Sequence, residues 1–280
     1  MAKIGVVTDS TSSLSPEMAQ KYDIRMVPLR INIGNESFRD GVDISSSQYL
    51  ERLTHAKELP KTSQPAVGDF AQTFEEMGAQ YDSIIVPLIS TKLSGTVSSA
   101  LTAAGMYPQY KITVIDSLST FMGLGFMAIR AAEAAAAGQD HEQIVAMVEG
   151  MVGKMQVLLV VDTLEYLHKG GRIGGAQAFL GGMLNVKPML QLKDGGLERL
   201  QQIRTKKKAN EKLVELIVER CGGRPAHISL GYAGNQPEIE AIASDLKPKV
   251  QLAELVEFEV GPVISTHTGP GVVGTAFYVE

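Results

Sequence analysis

The sequence is poor in cysteine, with Cys221 as the single one among 280 residues. One cysteine cannot form a disulfide within the chain, and Gly222 and Gly223 directly after it are typical of a helix end. No catalytic partner stands beside it in the sequence. We therefore expect an ordinary reduced thiol.

Long apolar runs are also missing, because no uninterrupted stretch approaches the roughly 20 residues that a membrane-spanning helix needs. Met1-Ala2-Lys3 leads directly into a strand-like run, without an apolar secretion segment or a small-residue cleavage site. We predict a cytoplasmic protein without stable membrane insertion.

Motifs for metals, nucleotides and nucleic acids are absent as well. Five scattered histidines and one cysteine form no metal-binding pattern, and no G-x-x-x-x-G-K-[ST] sequence occurs. Gly123–Ala128 imitates a dinucleotide fingerprint, but its first glycine comes eight residues after Ile115 instead of forming the strand-to-helix turn. A net charge of −5 argues against broad nucleic-acid affinity. We predict no cofactor, no metal and no nucleic-acid partner.

Hydroxyl-rich turns are what the sequence has instead. Three of them, Thr8–Ser13, Lys61–Pro65 and Ser90–Thr96, each follow a strand-like apolar run. In an open α/β sheet such turns lie at the carboxyl ends of the strands, where helix N-termini present N–H donors. This pattern predicts a site for an anionic head group.

The order of apolar and polar segments predicts an α/β protein of two domains, residues 1–155 and 156–280. The first half reads as a doubly wound parallel sheet. Its strand candidates are Ile4–Val7, Met26–Ile33, Ser83–Leu88 and Thr113–Ile115, and its helix candidates begin at Pro16, Ser94, Phe121 and after Asp140. Ser15 before Pro16, Gly138, and Asp140 with Gln143 are the capping signals.

After about residue 155 the pattern predicts a smaller, mixed α/β domain, with the ligand between the two domains. A strand at Gln156–Val161 precedes a glycine-rich segment and a hairpin over Lys187–Arg204 that turns at Lys193–Gly196. Helices are expected at Ala209–Arg220 and Gln236–Leu246, and strands at His227–Tyr232, Leu252–Val260 and Val272–Val279. We place His267 in a Gly/Pro-rich turn between the last two strands.

Seven motifs along the chain stand in the order found in the DegV family, which this sequence resembles over nearly its whole length. They are Val7–Ser12, Thr62–Pro65, Leu93–Thr96, Leu167–Ile173, Lys187–Leu190, Arg204–Ala209 and His267–Gly271. The resemblance implies a two-domain protein that is not itself an enzyme. It implies binding of a long-chain fatty acid, which is presented to a separate ATP-dependent kinase for acyl-phosphate formation in lipid metabolism.

By the same resemblance, the fatty-acid carboxylate is bound by Thr62, Ser94 and His267. The chemistry fits, because a buried carboxylate needs donors and these side chains provide two hydroxyls and a ring N–H, from either a protonated or a neutral imidazole. Backbone N–H groups near Ser63 and Gly95 would add to the cage. The family often has a hydroxyl residue where this chain has Ala66, so a donor from that position is lacking.

Each of these residues also has a structural interpretation. Thr62 and Ser94 taken alone are typical of turns and caps, and a lone histidine in a glycine-rich loop is usually structural. We expect Thr8-Asp9-Ser10 to be mainly architectural, since a strand-to-helix turn needs capping groups with or without a ligand.

Arg172 and Arg204 are predicted to contact the phosphate or the kinase, because a guanidinium pairs with phosphate in a bidentate fashion. The alternative is a pair of solvated salt-bridge residues. Gly170-Gly171 before Arg172 is either an anion-binding loop or a tight turn that permits close packing, and the sequence does not decide between them.

The fatty-acid tail has two candidate segments, Phe121–Met127 and Ala178–Leu184, which combine flexible apolar side chains with glycines. Core packing is the stronger interpretation of both.

Two other functions fit parts of the pattern. A serine hydrolase would use Ser94 as nucleophile, His267 as base and Asp9 or Asp116 as orienting acid, but Ser94 lacks the G-x-S-x-G context. An interaction module would use the basic run Arg204–Lys208 to bind a protein partner. Oligomeric state is open, with a monomer favoured.

Overall fold

A computed structural model describes residues 2–179 and 186–280. The chain divides into two compact units, one made of Met1–Arg30 with Thr62–Lys154 and the other of Ile31–Lys61 with Met155–Glu280. The chain thus enters the second unit early, returns to the first, and leaves it again near residue 154.

The strands and helices are as follows. The strands are β1 (Ile4–Asp9), β2 (Ile24–Val27), β3 (Arg30–Ile33), β4 (Glu36–Arg39), β5 (Lys61–Ser63), β6 (Ser83–Leu88), β7 (Lys111–Asp116), β8 (Gln156–Val160), β9 (Lys187–Lys193), β10 (Gly196–Ile203), β11 (Ala226–Tyr232), β12 (Leu252–Glu259) and β13 (Val273–Val279). The α-helices are α1 (Pro16–Lys21), α2 (Ser46–His55), α3 (Val67–Gly78), α4 (Thr96–Gly105), α5 (Phe121–Ala136), α6 (His141–Val152), α7 (Glu165–Lys169), α8 (Lys206–Cys221), α9 (Gln236–Leu246) and α10 (Pro262–Thr268). Short 3₁₀ turns lie at Ser10–Ser12, Gly174–Phe179 and Lys247–Lys249.

The first unit contains a parallel sheet in the order β2-β1-β6-β7, as expected. All residues of β1 and β6 are buried, which is typical of central parallel strands covered on both faces. Helices α3 and α4 pack together on a core of apolar side chains, and α5 packs against β1 and β6. The order β2-β1-β6 places a topological switch point at the carboxyl ends of β1 and β6.

The second unit contains a mixed six-stranded sheet in the order β10-β9-β8-β13-β11-β12. Helices α8 and α9 cover one face of it and share an apolar core with β8, β11 and β13. The predicted hairpin is confirmed, since β9 and β10 are antiparallel and joined through Asp194 and Gly195 with φ of 48° and 79°. Two successive left-handed residues are what a tight hairpin turn requires. Strands β4, β3 and β5 form a separate three-stranded sheet in that order.

The predicted helix starts agree with the capping chemistry of the sequence. Ser15 accepts a hydrogen bond from the Met18 N–H at 3.2 Å, directly before Pro16. Asp140 and Gln143 form a reciprocal capping box at α6, with Asp140 accepting from the Gln143 N–H at 2.8 Å. Gly138 has φ of 80°, as a glycine that ends α5 should.

Residues 31–61 were expected in the first domain, but they group with the second unit. The reason is packing of α2 against α10, where Tyr49 Oη and Thr266 Oγ1 lie 2.5 Å apart in the core. Buried Asp40 also accepts a hydrogen bond from the Val263 N–H at 3.3 Å. With this segment included, the second unit is the larger of the two, and not the smaller as expected.

Two element predictions were wrong. The single strand expected over Met26–Ile33 is two strands, β2 and β3, because Pro28 between them has no N–H for a sheet ladder. His267 does not lie in a turn but in the last helical turn of α10. Gly261 before this helix, Pro262 at its first position and Gly269 after it are its sequence signals.

Candidate functional site

The predicted head-group residues of the first unit lie in two turns that precede helices. Thr62 and Ser63 are the last residues of β5, and α3 begins at Val67. Ser94 and Gly95 directly precede α4. All four are partly buried.

The structure brings these two turns together. A side chain on Gly95 would meet the Gln64 carboxamide, since a Cβ at Gly95 would lie 2.8 Å from Gln64 Nε2. The end of the Gln64 side chain therefore lies directly against the 94–95 turn. Sequence reasoning quoted Gln64 only as part of a motif, and its spacing gave no signal of this contact.

The N-terminus of α4 has no side-chain cap. Gly95 occupies the N-cap position and offers no side-chain acceptor to the first helical N–H groups. The Ser94 hydroxyl instead lies 2.8 Å from Thr96 Oγ1, at the edge of the same turn. An uncapped helix N-terminus with adjacent hydroxyls is favourable for an anionic group.

The turn that presents Ser94 is fixed at several points. The Ser94 N–H donates to Ser90 O at 3.1 Å, and the Ser90 N–H donates to Ser119 O at 2.9 Å. Asp116, at the end of β7, accepts from Thr91 Oγ1 at 2.6 Å. These bonds tie the turn to the neighbouring strand end, so Ser94 has a defined position without a ligand.

Asp9 fixes the other end of this turn. Its Oδ2 accepts from the Ile89 N–H at 2.8 Å, while Oδ1 accepts from the Thr11 N–H at 2.9 Å and from the Thr11 hydroxyl. Burial raises the pKa of this carboxyl, and the hydrogen bonds from Ile89 and Thr11 lower it by less. The contacts of Asp9 are those of an architectural residue.

His267 is placed in the second unit by α10. Its ring lies against Gly170, where a Cβ would be only 2.3 Å from His267 Nδ1. Desolvation by burial, followed by the nearby Arg172 charge, lowers the pKa of His267 from its ordinary 6.5 to about 4. The imidazole of the ligand-free protein is therefore neutral at neutral pH, and a neutral ring still offers one N–H donor.

The two predicted phosphate-contacting arginines differ in their surroundings. Arg172 is partly buried, and its Nη1 donates to Gly170 O at 2.9 Å, which folds the side chain over its own turn. Arg204 is exposed just before Thr205, the N-cap of α8, and makes no hydrogen bond or ion pair with another described residue. The structure brings Arg172 and His267 together but provides no such contact for Arg204.

Lys206 belongs to the basic run Arg204–Lys208, but sequence reasoning assigned it no individual role. From the first position of α8 its ammonium donates to Gly271 O and lies 3.3 Å from Asp162 Oδ1, which also pairs with Lys187 at 3.0 Å. A lysine in the first turn of a helix opposes the helix dipole, and this unfavourable position was the available signal of a tertiary partner.

Of the two tail segments, Phe121–Met127 is fully buried within α5, which packs against β1 and β6. It belongs to the core of the first unit. Leu180–Leu184, the larger part of the second segment, lies outside the described residues.

The hydrolase alternative receives no support from the acids named for it. Asp9 accepts hydrogen bonds from Thr11 and Ile89, and Asp116 accepts them from Thr91 and the Leu118 N–H, so both carboxylates are engaged in holding turns. A histidine with a pKa of about 4 is also a weak general base at neutral pH.

Two cavities open within the units away from these residues. One of about 650 Å³ lies between α8 and α9, and one of about 360 Å³ lies beside Tyr22 and Tyr81. Within residues 2–179 and 186–280, no group of three or more His, Cys, Asp or Glu side chains is placed to hold a metal ion. None of the helices described for the chain is long and apolar enough to cross a membrane.

A sequence model described as "Uncharacterised protein, DegV family" matches residues 3–280, so the chain belongs to the DegV family. A DegV domain-containing protein of Halalkalibacterium halodurans is 34% identical over the full length of both chains. This confirms the family resemblance of the sequence.

Solved structures with the same fold are named for fatty-acid binding. A DegV family protein from Thermus thermophilus, described by its fatty acid binding, is 37% identical with a TM-score of 0.95, covering both chains completely. A stearic-acid-binding protein from Eubacterium ventriosum is 28% identical with a TM-score of 0.91, covering 100% of this chain and 98% of the other. The likeness therefore extends over both units.

Proposed function

We propose that this protein binds one long-chain fatty acid and presents its carboxylate to a separate ATP-dependent fatty acid kinase. In this proposal the carboxylate is bound by Thr62, Ser63, Ser94, Gly95 and His267. Family membership and the fatty-acid-binding solved structures support the class of ligand.

The observation that carries the proposal is the contact between the two hydroxyl-bearing turns of the first unit. Gln64 against Gly95 brings the Thr62 and Ser94 turns side by side at the uncapped start of α4. This closeness supports one anionic group shared by the two hydroxyls and the first N–H groups of α4, rather than two separate structural caps.

The proposed hydrogen-bond donors compensate for the desolvation of the fatty-acid carboxylate. A carboxylate taken out of water without hydrogen bonds is strongly unfavourable, whereas hydroxyl and amide donors compensate for most of that loss. The His267 ring adds one N–H donor to the hydroxyl and amide donors of the cage.

Alanine substitution tests the cage directly. In lipid-free protein titrated with stearate, Thr62→Ala and Ser94→Ala should each weaken binding by about 1–3 kcal/mol, because each removes a donor to a desolvated carboxylate. Ser98→Ala, an exposed serine on the same helix as the control, should bind like the wild type. Unchanged affinity in both cage variants would rule out the head-group assignment.

The kinase step rests on the absence of a phosphate-binding loop in the sequence and on the two arginines. We propose that Arg172 and Arg204 contact the transferred phosphate or the kinase, with Arg204 the more accessible of the two. Arg204→Ala should retain stearate binding and lose acyl-phosphate formation when a fatty acid kinase and ATP are added. Normal turnover by this variant would exclude Arg204 from the phosphoryl-transfer step.

A further inference from the structure

We propose that Gly170 is a positioning residue, whose missing side chain provides the space that the imidazole of His267 occupies. The inference rests on the proposed function, because His267 is one of the proposed carboxylate donors. It also selects between the two interpretations of the Gly170-Gly171 pair, in favour of close packing.

Glycine is not needed at 170 for backbone conformation. Gly170 ends α7 with φ of −77° and ψ of −6°, a right-handed helical conformation open to every residue. Gly171, which follows it, has φ of 69° and does need glycine for the turn. Gly171 is therefore required for its backbone conformation, whereas Gly170 is required because a side chain there would not fit.

The space beside Gly170 is occupied by His267. A Cβ built on Gly170 would lie 2.3 Å from His267 Nδ1 and 3.1 Å from Cε1, distances at which the ring has to move. It would also lie 2.9 Å from Tyr166 O, so the last turn of α7 has to adjust slightly as well. His267 Nδ1 is itself fully buried. The Nδ1–Cε1 edge of the ring is thus the one that lies against the glycine.

Local hydrogen bonds hold the backbone conformation on both sides of the contact. On one side the Gly170 N–H donates to Tyr166 O at 2.8 Å and the Arg172 N–H donates to Leu167 O at 3.0 Å. On the other side the end of α10 is held by the Gly269 N–H, which donates to Ser265 O at 2.8 Å. An added methyl group at 170 should therefore displace the imidazole more than the two helices.

The expected result of Gly170→Ala is a displaced His267 in an otherwise folded protein. By NMR of the lipid-free protein, the His267 ring should titrate near 4 in the wild type and move toward 6.5 in the variant, since the ring leaves its desolvated position. Stearate affinity should fall about tenfold or more, as expected for a lost donor to a carboxylate.

Gly175→Ala is the matched control. Its Cβ would meet the carboxylate end of Glu198, a flexible side chain that can rotate away. Unlike Gly170→Ala, it should leave the His267 titration and the stearate affinity at wild-type values.

A double-mutant cycle keeps the test valid if Gly170→Ala lowers the melting temperature. In a His267→Ala background there is no ring to displace, so adding Gly170→Ala should then cause little further loss of melting temperature or affinity. Equal losses in both backgrounds, or an unchanged His267 titration in Gly170→Ala, would overturn the proposal.

The cycle also separates this inference from the proposed function. If wild-type protein takes up no fatty acid, the proposed function fails, while the His267 titration and the melting temperatures still report on Gly170. If wild-type protein binds stearate and Gly170→Ala binds it equally well, only the positioning role fails.

Discussion

At the scale of single residues, the protein relies on buried polar side chains whose protonation is set by desolvation. Asp9 and His267 are the clearest cases, one in each unit. Burial moves the pKa of Asp9 up and that of His267 down, because desolvation disfavours the charged form of each group.

His267 makes lipid-free stability depend on pH in a defined direction. Its folded pKa of about 4 lies below its ordinary 6.5, so the unfolded chain binds the proton more tightly. Its contribution should be fully present above about pH 6.5 and should be lost as the pH falls toward 4. Urea unfolding between pH 7 and pH 4 should show a smaller loss of stability in His267→Asn than in the wild type. Parallel curves would contradict the depressed pKa.

Asp9→Asn should destabilise the first unit by about 1–3 kcal/mol, because an amide can replace only one of the two accepting carboxylate oxygens. The Ile89 and Thr11 donors would then compete for a single acceptor. Urea unfolding at neutral pH measures the difference. Asp245→Asn, an exposed partner of Lys249, is the control and should change stability by no more than about 0.5 kcal/mol.

At the scale of elements, the loop after α10 depends on the first turn of α8. Lys206→Met keeps the length of the side chain but removes its bond to Gly271 O, and should destabilise the protein by about 1–3 kcal/mol. Lys207→Met, one residue along and exposed, should have little effect. Thermal or urea unfolding of both variants measures the difference. If Lys206→Met is as stable as Lys207→Met, the Lys206 contact does not stabilise the protein.

Several elements with capping and turn residues were predicted from the sequence, but α2, which begins with a Ser45–Gln48 capping box, and α10 were not. Ser15-Pro16, Asp140 with Gln143, and Asp194-Gly195 each specify a local geometry. Helix α10 consists mainly of β-branched and hydroxyl residues, which favour strands and turns, and it forms because its apolar side is buried. His267 was therefore assigned to the right segment but to the wrong element.

In the candidate site, too, the local motifs were predicted from the sequence and the contacts between them were not. Its hydroxyl residues were recognisable because they form motifs that follow strands. The contacts between segments come from residues distant in sequence, such as Gln64 on Gly95 and Thr91 on Asp116. No periodicity in a single sequence reports such pairs.

At the scale of the whole molecule, the chain is interleaved, and the second unit depends on an early segment. Residues 156–280 expressed alone should lack a cooperative unfolding transition. Without α2, helix α10 loses the contact between Tyr49 and Thr266 and exposes part of the core of the unit. Calorimetry and near-ultraviolet circular dichroism would report this. A cooperative transition in the isolated fragment would show that residues 31–61 are dispensable for folding of the unit.

The central claim is that this protein carries a fatty acid, and mass spectrometry of gently purified protein tests it most directly. Spectra of the intact protein and of its organic extract should reveal one long-chain fatty acid per chain, and its mass would identify the preferred tail. Protein that is empty, and that also fails to take up added stearate, would contradict the account.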